Sequence, residues 1–174
     1  MQTNKKKEYA LVLFFVVVIS TTAFFISKDR AQLETIVPQE QLVLEETDFR
    51  VNSGNSILLV GTSTRDEAIK VFPQGKTLGM STIYKPDNID CLLTFDEDEK
   101  FLQKLHLNSQ EIQTYRGIKV GDPFTLVVEK YGPNYSSVGH PGKSSDFDAV
   151  YGVGNNIIFQ VREDKVKTII LQKE

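Results

Sequence analysis

Residues 156–172 read NIIFQVREDKVKTIILQ. Ile157, Phe159 and Val161 alternate with Ile158 and Gln160, the period-two pattern of a strand buried on one face. The polar run Arg162-Glu163-Asp164-Lys165 predicts a hairpin turn, and Val166 to Leu171 predicts an antiparallel return strand. The same spacing occurs upstream. Phe95 is followed by an acidic turn and then Leu102, Leu105 and Leu107, while Phe159 is followed by a charged turn and then Val166, Ile169 and Leu171, an offset of 64.

Moving outward, Val60-Gly61-Thr62 opens a segment that ends at Val71-Phe72-Pro73. Val120-Gly121-Asp122 opens one that ends at Tyr131-Gly132-Pro133, offset by 60. The glycines permit a tight turn out of a strand, and Thr62 or Asp122 supplies an oxygen to cap a helix that Pro123 can enter. Short helices are predicted at Thr64–Phe72 and Phe124–Tyr131. Their apolar residues recur at i, i+3, i+4, and Pro73 and Gly132-Pro133 stop them. Further strands are expected around 81–84 and 149–153, and 110–118 is expected to join the copies as a strand. The extra four residues of the second copy fall between Pro133 and Tyr151. The fold class expected is α+β, with two tandem helix-plus-antiparallel-strand repeats forming one layered domain behind an N-terminal transmembrane helix.

That N-terminal helix is read from residues 9–26, YALVLFFVVVISTTAFFI, 18 residues without a charge. At helical rise the run reaches about 27 Å, near the hydrocarbon thickness of a bilayer. Lys5-Lys6-Lys7 precedes it and predicts an N-terminus inside and a C-terminal domain outside. A cleaved signal peptide is the rival reading, although the apolar run continues through Phe24, Phe25 and Ile26 and no A-x-A site is present. The organisation expected is a cytoplasmic basic tail (1–8), a single-pass anchor (9–27), a stalk (28–48) and an extracytoplasmic domain (49–174) in the cell envelope.

Composition narrows the function classes. Cys91 is the single cysteine, so an intramolecular disulfide is excluded. The net charge is −3, and setting aside Lys5, Lys6, Lys7 and Glu8 leaves −5, which argues against nucleic acid as a partner.

The series Gly117-Ile118-Lys119-Val120-Gly121-Asp122, Tyr131-Gly132-Pro133, Ile157-Ile158-Phe159 and Val166-Lys167-Thr168-Ile169 resembles a repeat of bacterial envelope proteins. It is similar to the β-lactamase-inhibitor-protein-like superfamily, which includes the small BamE-related (SmpA/OmlA-like) lipoproteins and membrane-anchored proteins of Gram-positive bacteria. The resemblance covers about 115 residues and departs in the first copy, where Thr62-Ser63-Thr64 replaces the Gly-Asp pattern. It implies a protein-binding or scaffold role, a fold-level analogy. No lipobox cysteine is present.

No catalytic, cofactor or metal constellation stands out. His106 lies between Leu105 and Leu107 and should face away from them. Asp96-Glu97-Asp98-Glu99 lacks calcium-loop spacing, and Gly142-Lys143-Ser144-Ser145 lacks the first glycine of a phosphate loop. The best candidate for partner binding is the inserted segment 134–148, with Tyr135, His140, Phe147 and Tyr151 among Gly, Ser and Pro. If it is the binding element, its deletion abolishes partner capture and leaves the thermal midpoint nearly unchanged. The function expected is a non-catalytic interaction module that meets another envelope or membrane protein. The alternatives are an envelope hydrolase or other enzyme, which a cleft lined by Asp146, Asp148 and His140 would favour, and an inhibitor of an external hydrolase.

Overall fold

The computed structural model describes residues 34–79, 82–139 and 145–174. The basic tail, the expected anchor (9–27) and the first part of the expected stalk lie outside the described residues. The folded unit runs Glu34–Glu174.

Twelve strands and two α-helices make up this unit: β1 (Glu34–Ile36), β2 (Arg50–Ser53), β3 (Ser56–Leu59), α1 (Arg65–Val71), β4 (Gly75–Thr77), β5 (Ile83–Pro86), β6 (Cys91–Phe95), β7 (Leu102–Leu107), β8 (Gln113–Thr114), α2 (Phe124–Tyr131), β9 (Ser136–Gly139), β10 (Phe147–Tyr151), β11 (Asn156–Arg162) and β12 (Lys165–Gln172). A nine-stranded sheet has the order β1-β9-β10-β11-β12-β7-β6-β5-β4, and a small sheet has the order β3-β2-β8. The pairings in both sheets are antiparallel.

The expected class is therefore corrected. The domain is mostly antiparallel sheet, not a pair of helix-plus-strand repeats, and a membrane-crossing helix is not one of its elements. Among the described residues no helix is long and apolar enough to cross a membrane. The physical reason lies in what each element buries. The helices have seven and eight residues, and only Ala68 from α1 and Val127 and Tyr131 from α2 are buried. The strands supply most of the core: Leu93, Phe95, Leu102, Leu105, Leu107, Ile157, Phe159, Val161, Ile169 and Leu171 are all 0–1% exposed. One face of the large sheet thus carries the hydrophobic driving force, and the helices and small sheet cover it.

The two halves of the large sheet meet at β7 and β12, where Leu107 stands opposite Ile169 and Leu105 opposite Leu171. Each half receives its incoming chain alike. Gly61 donates to the Leu102 carbonyl (2.6 Å) and Gly121 to that of Val166 (2.8 Å), both with left-handed φ (89° and 94°) that favours glycine. A tyrosine closes each helix end: the Tyr84 hydroxyl donates to the Phe72 carbonyl and the Tyr151 hydroxyl to that of Gly132, each at 2.8 Å.

Several local expectations are corrected. Thr64, not Thr62, caps α1, in a capping box with Glu67. Pro123 is the N-cap of α2 rather than its first helical residue, and Asp122 accepts from the Lys119 amide instead. Segment 110–118 forms only the two-residue β8, because Thr114 to Gly117 closes a turn. The described part of the expected stalk is packed onto the domain. β1 pairs with β9, Leu42 and Leu44 lie against the core, and Asp48 and Phe49 are buried in a 3-10 turn over Glu46–Phe49.

Candidate functional site

The described residues at the two ends of the inserted segment are held by strand pairing. Ser136–Gly139 is a strand between β1 and β10, with Val138 opposite both Thr35 and Asp148. Its aromatics turn inward. Tyr135 meets Phe124 edge-on at 5.2 Å and lies 5.6 Å from Tyr151, and Phe124 meets Phe147 at 4.9 Å. Tyr151 also contacts Tyr131 (5.3 Å) and Phe159 (5.8 Å). Tyr151 is fully buried, while Tyr135 and Phe147 are half-buried. His140 lies outside the described residues. Deleting 134–148 would remove β9 and open this ring cluster, so the deletion would lower the thermal midpoint and is no clean test of binding.

Burial pushes the phenols of Tyr131 (up to about 12), Tyr84 and Tyr151 above their ordinary value. Cys91 behaves likewise: it is fully buried, and burial, with Asp90 beside it, pushes the thiol up to about 12. Native protein should therefore resist a thiol-selective reagent that labels it completely in denaturant. Fast labelling without denaturant would contradict this packing.

Most of the carboxylates singled out in the sequence are engaged. Asp146 accepts from the Glu163 amide (3.1 Å), and Asp148 binds Arg162 (3.1 Å) and Gln160 (3.2 Å). Arg65 pairs with Glu99, and Lys100 with Asp98 (3.1 Å). Two shallow, open depressions flank that hairpin. One, of about 370 Å³, is lined by Thr64, Arg65, Asp66, Glu99, Lys100 and Phe101, and the other, of about 390 Å³, by Asp96, Glu97, Asp98 and Gln103. Among the described residues no group of His, Cys, Asp or Glu is arranged to hold a metal ion.

A charged node beneath the small sheet gave no signal in the sequence. Asp48 is 2% exposed and receives Arg116 in a bidentate pair, Nε to Oδ1 at 2.6 Å and Nη2 to Oδ2 at 2.8 Å. Arg116 also donates to the Lys130 carbonyl (3.0 Å) and lies 4.7 Å over the Tyr131 ring. The hydrogen bonds from Arg116 to Asp48 raise the guanidinium pKa.

The remaining candidate is the opposite face of the nine-stranded sheet. Antiparallel pairing puts facing residues on one side. The register therefore sets Val150, Ile158, Ile170, His106 and Leu92 in a single row across β10, β11, β12, β7 and β6. Ile170 is 9% exposed, and the other four are half-buried. Polar rows flank this one: Asp148, Gln160 and Thr168 on one side, and Asn156, Gln172, Lys104 and Thr94 on the other. The core face of the same strands is buried except at the half-buried Phe147, so this face is the one left partly open.

His106 lies in this row, facing away from Leu105 and Leu107. Burial, then Lys104, lowers its pKa below 6.5. The unfolded chain thus binds the proton first, so stability should fall as pH drops below about 6.5 and level off below the folded value. His106→Gln should flatten that segment of the pH–stability curve, and an unchanged slope would place the titration elsewhere.

No protein-family model, curated protein or solved structure matches the chain. The superfamily resemblance accordingly rests on the motif residues alone.

Proposed function

We propose that this domain is a non-catalytic protein-interaction module that docks a partner on the open face of its nine-stranded sheet. The observation that carries the reading is the row Val150, Ile158 and Leu92, half-buried apolar side chains held in register around the buried Ile170 on the face opposite the core. Covering partly open apolar side chains with a partner is favourable. The sheet is a rigid platform, so docking there loses little ordering entropy. The pairs that occupy Asp146, Asp148, Arg65 and Glu99 leave those groups to structural work. Placement in the cell envelope rests on the uncharged run 9–26 and on the motif resemblance.

Photo-crosslinking tests the reading. A crosslinker at Leu92 or Ile158 of the full chain, in its own membranes, should trap one reproducible protein, and one at Asp66 on α1 should not. Ile158→Asp should abolish the adduct formed from Leu92 while circular dichroism stays unchanged. Adducts from Asp66 alone, or from none of the three positions, would sink the proposal.

A further inference from the structure

One edge of the nine-stranded sheet is covered by a strand that has little hold on it. The edge is β9, Ser136-Ser137-Val138-Gly139, which carries no charge or proline and pairs without a bulge, so nothing in it blunts further pairing. The strand at the opposite edge, β4, carries Lys76. β1 closes the β9 edge with three residues, Glu34 opposite Gly139, Thr35 opposite Val138 and Ile36 opposite Ser137. Its side chains add little burial: Thr35 is exposed, Ile36 is 61% exposed and Val37 just beyond is 59% exposed. A backbone hydrogen bond contributes, net, no more than ordering its residue costs, so pairing alone barely holds β1. The chain is rooted only from Gln41 onward. Gln41 donates to the Ser136 hydroxyl (3.2 Å), Leu42 and Leu44 pack on the core, and Asp48 takes Arg116. Between root and strand lie residues 37–40 without regular structure, and Pro38 favours extended backbone at Val37. The same corner leaves apolar surface open. Leu44 lies against Gly152, which brings their neighbours Val43 (85% exposed) and Val153 (78%) beside the path of this arm. Ile36, Val37, Val43 and Val153 are four of the seven large apolar side chains exposed among the described residues, and such clustering marks an association site.

We infer that β1 is an exchangeable arm: residues 34–37 of one copy of this chain pair with β9 of a second copy, and reciprocally, in a two-fold dimer. The second copy is the occupant because its arm is the strand already seen to fit this edge, and each bond of the exchanged arm has its counterpart in the closed domain. Exchange also supplies what the closed domain lacks. Where the two hinges cross, the corners meet, and Ile36, Val37, Val43 and Val153 of each copy are covered by those of the other. The row from Val150 to Leu92 takes no part, so self-association at this edge and docking on the open face are separable.

Two differently tagged versions of the full-length chain, Thr35→Cys and Val138→Cys, test this when co-expressed, solubilised in detergent and mildly oxidised with copper–phenanthroline. Residues directly opposite on antiparallel strands are near enough for a disulfide, and Cys91 is buried away from the oxidant. A disulfide joining the two tags therefore reports β1 of one copy on β9 of another. That heterodimer is the expected product, and adding Ile36→Asp/Val37→Asp to the Thr35→Cys chain should abolish it. Chains that stay separate would overturn the exchange, and a disulfide closed within single Thr35→Cys/Val138→Cys chains would then mark β1 as a fixed strand. An equal yield with Asp66→Cys, exposed on α1, in place of Val138→Cys would overturn it as chance collision in a micelle. A disulfide from Val138→Cys to a different protein, with none to Thr35→Cys, would overturn the second copy in favour of a foreign strand.

Discussion

Replacing Arg116 by Ala should destabilise the domain by about 3 kcal/mol, because it leaves a buried carboxylate without its counter-ion. Asp48 is 2% exposed, and its oxygens take the Arg116 fork and the Glu45 amide at 2.9 Å. Removing the guanidinium takes both charge-assisted bonds, the donor to the Lys130 carbonyl and the cation above Tyr131. Arg116→Lys keeps the charge and loses the fork, so it should fall between Ala and wild type. Asp48→Ala/Arg116→Ala should cost less than the sum of the single changes, since the double variant buries no unpaired charge. Urea unfolding of the wild type, the three single variants (Arg116→Ala, Arg116→Lys and Asp48→Ala) and the double variant is the measurement. A loss below about 1 kcal/mol for Arg116→Ala would mean the pair behaves as a surface bridge. It would also mean that the 3-10 turn at Glu46–Phe49 is held by Phe49 and the Glu46–Lys173 pair instead.

That node also shows where reading the sequence stops. Asp48 and Arg116 lie 68 residues apart, and nothing in either neighbourhood marks them as partners. Residues 28–48 read as a spacer because they are rich in Gln and Glu around a single Pro38. Leu42 and Leu44 nonetheless find the core, and β1 borrows its pairing from β9. The strand β9 itself, Ser-Ser-Val-Gly, has no alternation to read, since its register comes from β10. By contrast Phe159, Val161, Ile169 and Leu171 were legible because a two-residue period under one-sided burial leaves its mark on every second residue. Two short helical patterns do not make layers here, because Ala68, Val127 and Tyr131 are the only residues those helices bury fully. The open face was half legible. His106 was placed opposite its leucines, but only the pairing of β6, β7, β11 and β12 shows that Leu92, Ile170 and Ile158 join it in one row.

Tyr151 and its neighbour Val150 should separate stability from docking, since consecutive strand residues serve opposite faces. Tyr151→Ala should cost about 4 kcal/mol, the usual loss for removing a buried ring, because its contacts with Tyr131, Tyr135 and Phe159 vanish together. Tyr151→Phe keeps the ring and removes the donor to the Gly132 carbonyl at the end of α2. That change should cost about 1 kcal/mol, the usual net worth of one hydrogen bond, here to a part-buried acceptor. Tyr84→Phe should cost a similar amount through the Phe72 carbonyl. None of these hydroxyl deletions reaches the open face, so crosslinking from Leu92 should survive Tyr151→Phe unchanged. Val150→Asp should do the reverse, with a small loss of stability at a half-buried site and loss of the crosslink, because Val150 stands opposite Ile158 in the docking row. If Tyr151→Phe abolished the crosslink in a folded domain and Val150→Asp spared it, the working surface would lie on the helix side of the sheet, around the aromatic cluster, and the open face would lose its role.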